Sequence, residues 1–334
     1  MRRHSRRQIL EGSLALAGFC LLSGCERPDR QATKIRRIGF LAVGSREGRT
    51  FLIDGLLQGL REHGYVEGKN IVIEYRFSED RNERLPELAA ELVNLNVALI
   101  VASGSPASLA AKRATTTIPI VMGSLAANPI EAGFITSLAR PGGNITGMTE
   151  MASQLSGKRL ELIKASVPDL TRVAFLWNPP NPASAPLLKE LEAAAPRLEV
   201  KLQRLEVRVP EDLEGAFKAA VRQRAGALYV PGDPLTTNRP QVIADLALTH
   251  RPPTISDYGG LPRAGGLLSY GPDLVDSYRR AAAFVDKILK GANPGELPME
   301  QPTKFDLVVN QKTARFLGLT IPQSVLQQAT QVIE

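Results

Sequence analysis

Hydrophobic and polar positions alternate along this chain in blocks, and the blocks predict strands followed by helices. Positions 38–43 form a continuous apolar run, as a strand does when both of its faces are covered. A Gly/Ser/Arg loop over 44–50 leads to a helix whose one face carries Leu52, Ile53, Leu56, Leu57 and Leu60, closed by Gly64. A strand over 71–77, a helix over 83–95 and a strand over 98–102 follow. Ser103-Gly104-Ser105-Pro106 then opens a helix to about position 115. Next come a strand over 118–122, a loop over 123–128 and a helix over 129–140. Strands alternating with helices predict a parallel, doubly wound α/β sheet.

Pro141-Gly142-Gly143-Asn144 breaks the pattern, and 145–150 leads to a helix over 155–165 that starts a second lobe. Its first strand, Arg172-Val173-Ala174-Phe175-Leu176-Trp177, echoes Arg37-Ile38-Gly39-Phe40-Leu41-Ala42. Ala227-Leu228-Tyr229-Val230 before Pro231-Gly232-Asp233-Pro234 echoes Leu99-Ile100-Val101-Ala102 before Ser103-Gly104-Ser105-Pro106, and Pro253-Thr254-Ile255 echoes Pro119-Ile120-Val121. Three echoes in one order predict two lobes of the same βαβ topology. The stretch 265–309 reads as a short strand, a helix over 273–290 with Asp273 as its N-cap and Gly291 as its stop, and a second strand over 305–309. It therefore leaves one lobe, visits the other and returns. The expected organisation is lobe 1 over 36–148 plus 271–302 and lobe 2 over 153–268 plus 305–334. Hinges are expected near 149–152, 269–272 and 301–304, around an interlobe cleft.

The N-terminus changes the picture. Arg2, Arg3, Arg6 and Arg7 precede an apolar run over 12–22 and then Ser23-Gly24-Cys25. About 11 apolar residues suit a signal-peptide core and fall short of the roughly 20 that span a bilayer. Leu22-Ser23-Gly24-Cys25 resembles a bacterial lipobox. Residues 1–24 are thus expected to be an export signal, Cys25 the lipidated first residue of the mature protein, and 25–35 a tether. Ser5-Arg6-Arg7-Gln8-Ile9-Leu10 also looks like a twin-arginine signal, so folded and unfolded export both stay open. The signal takes a net +3 of the chain's +7 with it, leaving about +4 and no dense Lys/Arg stripe, which argues against nucleic acid as a partner. Cys20 leaves with the signal and Cys25 carries lipid. No thiol then remains for a disulfide, a nucleophile or a zinc site, and neither metal nor cofactor is expected.

Ligands of open parallel sheets sit beyond the carboxyl ends of the strands, where loops run into helix N-termini. In lobe 1 those loops offer Gly44, Ser45, Ser103, Gly104, Ser105, Ser124 and Asn128. In lobe 2 they offer Asn178, Asn181, Gly232, Asp233, Asp257 and Tyr258. Ser105 at a helix start suits a carboxylate, and Asp233 and Asp257 suit an ammonium group, so the set suits an amino-acid zwitterion. The same residue types also serve as caps and turn formers. Trp177, Tyr258 and Tyr270 are the aromatics available to stack on a ligand. His63, beside Gly64 at a helix end, reads as a cation offsetting the helix dipole.

Ser103-Gly104-Ser105-Pro106-Ala107, Arg140-Pro141-Gly142-Gly143-Asn144-Ile145-Thr146-Gly147, Trp177-Asn178-Pro179, Ser269-Tyr270-Gly271, Lys287-Ile288-Leu289-Lys290-Gly291 and Lys312-Thr313-Ala314 with Leu317-Gly318-Leu319 resemble the ABC transporter substrate-binding proteins related to tryptophan-binding lipoproteins. The resemblance runs from about Arg36 to Ile321. It implies the type I periplasmic-binding fold, three hinge crossings and a small polar ligand, an amino acid or related carboxylate, closed between the lobes. It also implies a monomeric, membrane-anchored exported lipoprotein that delivers its ligand to an ABC permease. A sensor module of the same fold for a membrane receptor is the alternative. An exported enzyme is disfavoured: the chain has no Gly-x-Gly-x-x-Gly, P-loop, nucleophile elbow or His-Glu-x-x-His, and lacks the cysteine pair that a racemase on this plan would use.

Overall fold

The computed structural model describes residues 35–79, 81–150 and 155–334. The expected export signal and lipobox Cys25 therefore lie outside the described residues, as do 151 and 152 of the first expected hinge. Chain order runs β1 (Arg36–Ala42), α1 (Arg46–Glu62), β2 (Ile71–Phe77), α2 (Leu85–Asn94), β3 (Ile100–Ser103), α3 (Ser105–Ala114), β4 (Ile120–Ser124) and β5 (Ile145–Gly147). It continues with α4 (Ser156–Ser166), β6 (Arg172–Trp177), α5 (Ser184–Ala194), β7 (Lys201–Glu206), α6 (Asp212–Arg222), β8 (Ala227–Val230), α7 (Pro234–Thr237), α8 (Pro240–His250), β9 (Thr254–Ser256) and α9 (Gly260–Ala264). The last part is β10 (Leu268–Pro272), α10 (Leu274–Leu289), β11 (Phe305–Asn310), α11 (Gln311–Leu317), α12 (Gln323–Leu326) and β12 (Gln331–Ile333).

The strands form two sheets, and the sheets define the two lobes. The first is ordered β2-β1-β3-β4-β5 and is parallel throughout. The second is ordered β12-β11-β10-β9-β8-β6-β7. Within it, β7-β6-β8-β9-β10 repeats the order of the first sheet, so the three echoed segments occupy equivalent strands. Each sheet is buried on both faces. Ile38, Phe40, Leu52, Leu56 and Val285 fill one side of the first, and Leu41, Leu88, Leu92 and Ile100 fill the other. Phe175, Tyr229 and Leu188, against Ala174, Phe217 and Ile243, do the same for the second.

The second sheet is not parallel throughout. β11 runs antiparallel to β10, pairing Tyr270 with Leu307 and Gly271 with Asp306. The cause is the path of the chain. It leaves β10 for lobe 1, lays α10 on α1, and re-enters beside the strand it left, in the opposite direction. Asp273 caps α10 by accepting the Val275 and Asp276 N–H groups at 2.8 and 3.2 Å. Gly55 and Gly59 let α1 and α10 approach closely: a Cβ on Gly59 would stand 2.0 Å from the Arg279 carbonyl oxygen. A second pair of crossing segments runs side by side at 147–149 and 300, where Glu300 N–H donates to the Gly147 carbonyl and Thr149 N–H donates to the Glu300 carbonyl, both at 2.9 Å.

The helix expected over 129–140 is absent, replaced by consecutive turns. Asn128 Oδ1 accepts the N–H groups of Ile130 and Glu131, Gly133 has φ +68°, and the Thr136 and Ser137 hydroxyls donate to the Arg140 carbonyl. Local side-chain hydrogen bonds here outcompete the helical ladder. At the end of α1, His63 is the C-cap and its Nδ1 lies 3.8 Å from the Asp286 carboxylate. No described helix is long and apolar enough to cross a membrane.

Candidate functional site

The carboxyl ends of β1, β3 and β4 face those of β6, β8 and β9 across a closed cleft. Contacts cross it directly. Arg49 Nη1 on α1 donates to Thr237 Oγ1 at 3.5 Å, and Asn238 Nδ2 donates to the Val43 carbonyl at 3.4 Å. Gly44, with φ +87°, leaves room for that asparagine: a Cβ there would stand 1.8 Å from Asn238 Nδ2. Gly104, with φ +86°, faces Pro234 in the same way and starts α3 beneath the cleft. The cavity left inside is about 20 Å³, bordered by Arg49, Ser103, Ser105, Ser124, Glu150, Asn181, Gly232, Thr237 and Tyr278 among others. A second space of about 10 Å³ adjoins it, with Asn181, Gly232, Asp233 and Asp257 on its walls.

Among the described residues, five acidic or basic side chains are buried around these spaces: Arg49 from α1, Glu150 beyond β5, Arg159 from α4, and Asp233 and Asp257 from the loops after β8 and β9. Burying charge is expensive, so each must be held. Arg159, with no exposed surface, donates through Nε to the Tyr270 carbonyl at 2.6 Å and through Nη1 to Tyr229 Oη at 3.1 Å. Arg49 Nε donates to the Val43 carbonyl at 3.1 Å. Asp233 is fully used by its own lobe: Oδ1 accepts the Leu235 N–H at 2.7 Å, and Oδ2 accepts Asn178 Nδ2 at 2.8 Å and Asn181 Nδ2 at 2.5 Å. Asp257 Oδ1, sealed from solvent, has no hydrogen-bond partner among the described residues.

Burial pushes the Glu150 carboxyl up to about 7, against the hydroxyl of Ser124 that donates to it and with the neighbouring Asp257 charge adding to the rise. Burial likewise raises Asp257 and Asp233. The nearby Arg159 opposes the first shift, and the Asn181 amide opposes the second. Tyr278 is pushed up to about 12 by burial, and its hydroxyl donates to Ser103 Oγ at 2.6 Å.

The cleft thus gathers Ser103, Gly104, Ser105, Ser124, Asn181, Gly232, Asp233 and Asp257, with Asn178 directly behind Asp233. Three other sequence candidates have different surroundings. Ser45 caps α1 by accepting the Gly48 N–H at 3.3 Å, and Asn128 caps its own turn. Tyr258 is buried with its hydroxyl on the Thr236 carbonyl at 3.1 Å and borders a groove of about 260 Å³ on the flank with Phe51 and Val275. Trp177 packs on Phe175 and Tyr270 lies near Phe305, so neither borders the cleft spaces. A larger cavity of about 360 Å³ lies at the other flank, lined by Leu85, Pro86, Pro106, Arg113, Pro180 and Pro182, and holds none of the five buried ionisable groups. Sequence reasoning missed Arg49, Glu150, Arg159, Thr237 and Tyr278. For Arg49 a signal existed: it continues the stripe of Leu52, Ile53, Leu56 and Leu60, and a charge on a core-facing stripe calls for a partner.

Two lobes of repeated topology facing each other across a cleft make up the type I periplasmic-binding fold. Residues 37–333 match the family described as ABC transporter substrate binding protein, and the chain belongs to that family. It is 24% identical over 312 residues to a tyrosine-binding protein of Clostridioides difficile strain R20291, covering 90% of this chain and 89% of that one. Among solved structures, a conserved domain protein from Vibrio cholerae O1 biovar El Tor N16961 superposes with a TM-score of 0.84 at 27% identity, covering 90% of this chain and 100% of that one. The ABC domain from Streptococcus pneumonia in complex with L-Trp superposes with a TM-score of 0.82 at 26% identity, covering 89% of this chain and 99% of that one.

Proposed function

We propose that this protein is an exported substrate-binding lipoprotein, anchored through Cys25, that captures an amino acid between its lobes as a monomer and hands it to an ABC permease without chemically changing it. The observation that carries the reading is the buried acid–base set in the interlobe cleft. A zwitterion needs an anionic and a cationic contact within a few ångströms of each other, shielded from water. Arg49 and the N-terminus of α3 at Ser105 supply the positive side, and the carboxylates of Glu150 and Asp257 supply the negative side. The tyrosine-binding relative and the L-Trp-bound neighbour support an amino acid, and an aromatic one, as the substrate class.

The hinge candidates 149–152, 269–272 and 301–304 provide the motion, and the ligand shifts the population toward the closed form because it touches both lobes only there. A thermal-shift screen of the processed protein against L-amino acids, sugars, purines and aromatic acids tests this. A ligand at a hundred times its Kd adds about 2.7 kcal/mol, which raises the midpoint by about 5 °C. Such a rise is expected with a subset of L-amino acids, L-tyrosine or L-tryptophan among them. A rise with a sugar or purine alone would refute the substrate class.

A further inference from the structure

We propose that the flank cavity between α2, α3 and the loop over 178–182 is a second binding site, separate from the cleft, that takes an alkyl monocarboxylate with its chain against Leu85, Leu109 and the proline rings and its carboxylate on Arg113. The cavity measures about 360 Å³. Small-molecule pockets run from about 300 to 1,000 Å³, so it has the size of a ligand site as it stands. Its walls are built from the sequence in a definite way. In the proline-rich loop after β6, Asn178 and Asn181 turn inward and donate to Asp233 Oδ2 at 2.8 and 2.5 Å, and Asn181 Oδ1 accepts the Ala183 N–H at 3.0 Å. Pro180 and Pro182, alternating with them, border the flank cavity instead. Their rings fix φ, so this wall is set before a ligand arrives. Opposite, α3 presents Pro106, Leu109, Ala110 and Arg113, which share one helical face at three- and four-residue spacing.

The charges at this wall name the class of ligand. Lys112 and Arg113 both end α3, where a cation offsets the helix dipole. Lys112 donates to the Gly133 carbonyl and lies 5.8 Å from the centre of the Phe134 ring. Arg113, exposed and on the cavity's edge, has no hydrogen-bond or ion-pair partner among the described residues. Asn82 adds an amide to the wall, and its side-chain oxygen makes no hydrogen bond among the described residues, so the protein does not commit it. An unpaired guanidinium beside an apolar wall suits an anion with an apolar body, and its planar fork matches a carboxylate. Among the described residues no second cation lines the cavity, which disfavours a phosphate dianion, and no aromatic ring does, so the wall meets saturated carbon by contact and not a ring by stacking. The lining also comes from both lobes, α2 and α3 from the first and Pro180 and Pro182 from the second. A molecule touching both walls favours the closed form, so it and the cleft ligand raise each other's affinity by one common factor.

Calorimetric titration of the processed protein with octanoate, hexanoate and octan-1-ol tests the site. One octanoate per chain is expected, bound about tenfold tighter than hexanoate, because each buried methylene is worth about fourfold in affinity. Arg113→Gln is expected to weaken octanoate about threefold or more and leave octan-1-ol unchanged. Ala90→Trp, at an exposed position of α2 on the cavity wall, fills the space and should abolish binding of both, with melting curves confirming that each variant is folded. No binding of octanoate at millimolar concentration would overturn the proposal, and so would binding that is the same in the wild type and both variants. With octanoate bound, affinity for L-tyrosine is expected to rise at least twofold. A fall would show competition for the cleft and overturn the second site, and no change would overturn its bridging of the lobes. If no amino acid binds while octanoate behaves as expected, the amino-acid reading alone fails and this site stands.

Discussion

Glu150 is buried at a raised pKa, so it couples the protein's stability to pH. Its carboxyl is held up to about 7 in the folded chain against 4.5 as a free side chain. The folded protein therefore binds more protons than the unfolded one between those values, and stability falls as pH rises through that window. Below about 4.5 the penalty is absent, and above about 7 it is complete, on the order of 3 kcal/mol. Glu150→Gln is expected to remove this contribution: its ligand-free unfolding free energy at pH 8 should exceed that of the wild type, and the difference should vanish near pH 4.5. Denaturant melts across that range measure it, and equal stability at pH 8 would contradict the burial of an ionised carboxylate. At this scale the sequence was partly readable. Ser105, Gly232 and Asp257 border the cleft spaces, and they were legible because strand ends and turn residues announce themselves. Glu150 was not, because nothing local distinguishes it from an ordinary loop glutamate; its environment is made by Arg49, Arg159 and Asp257, which are remote in sequence.

The elements were more legible than the residues, because periodicity is local and the lobes repeat. The strand echoes at 172–177, 227–230 and 253–255 correspond to β6, β8 and β9, equivalent in sheet order to β1, β3 and β4. The 129–140 segment misled because Pro129 and apolar spacing imitate a helix start, while Asn128, Thr136 and Ser137 spend their side chains on turns. The glycines of α1 carry a tertiary message that composition hides: Gly59 exists for α10. Gly59→Ala would press a methyl against the Arg279 carbonyl and the Ala282 Cβ, at 2.0 and 2.8 Å, and force the helices apart. A loss of about 2–3 kcal/mol in chemical denaturation is expected. Gly215→Ala in α6, where nothing lies within 4 Å, is expected to stabilise by about 0.5–1 kcal/mol. If Gly59→Ala were neutral, the close packing of α1 on α10 would be wrong.

For the whole molecule, the size of the cleft sets the mechanism. A space of about 20 Å³ holds a single water, not an amino acid. A ligand can enter only if the lobes part, and the contacts of Arg49 with Thr237 and of Asn238 with Val43 must break when they do. β10 and β11 keep the second sheet continuous while α10 stays with α1.

Small-angle scattering of the processed protein at pH 7.5, with and without a saturating amino acid drawn from the thermal-shift screen, tests this most directly. A radius of gyration that falls on addition of the amino acid, and does not fall with its des-amino analogue, is the predicted result. An identical radius at saturation, with binding confirmed by calorimetry, would contradict capture by lobe closure.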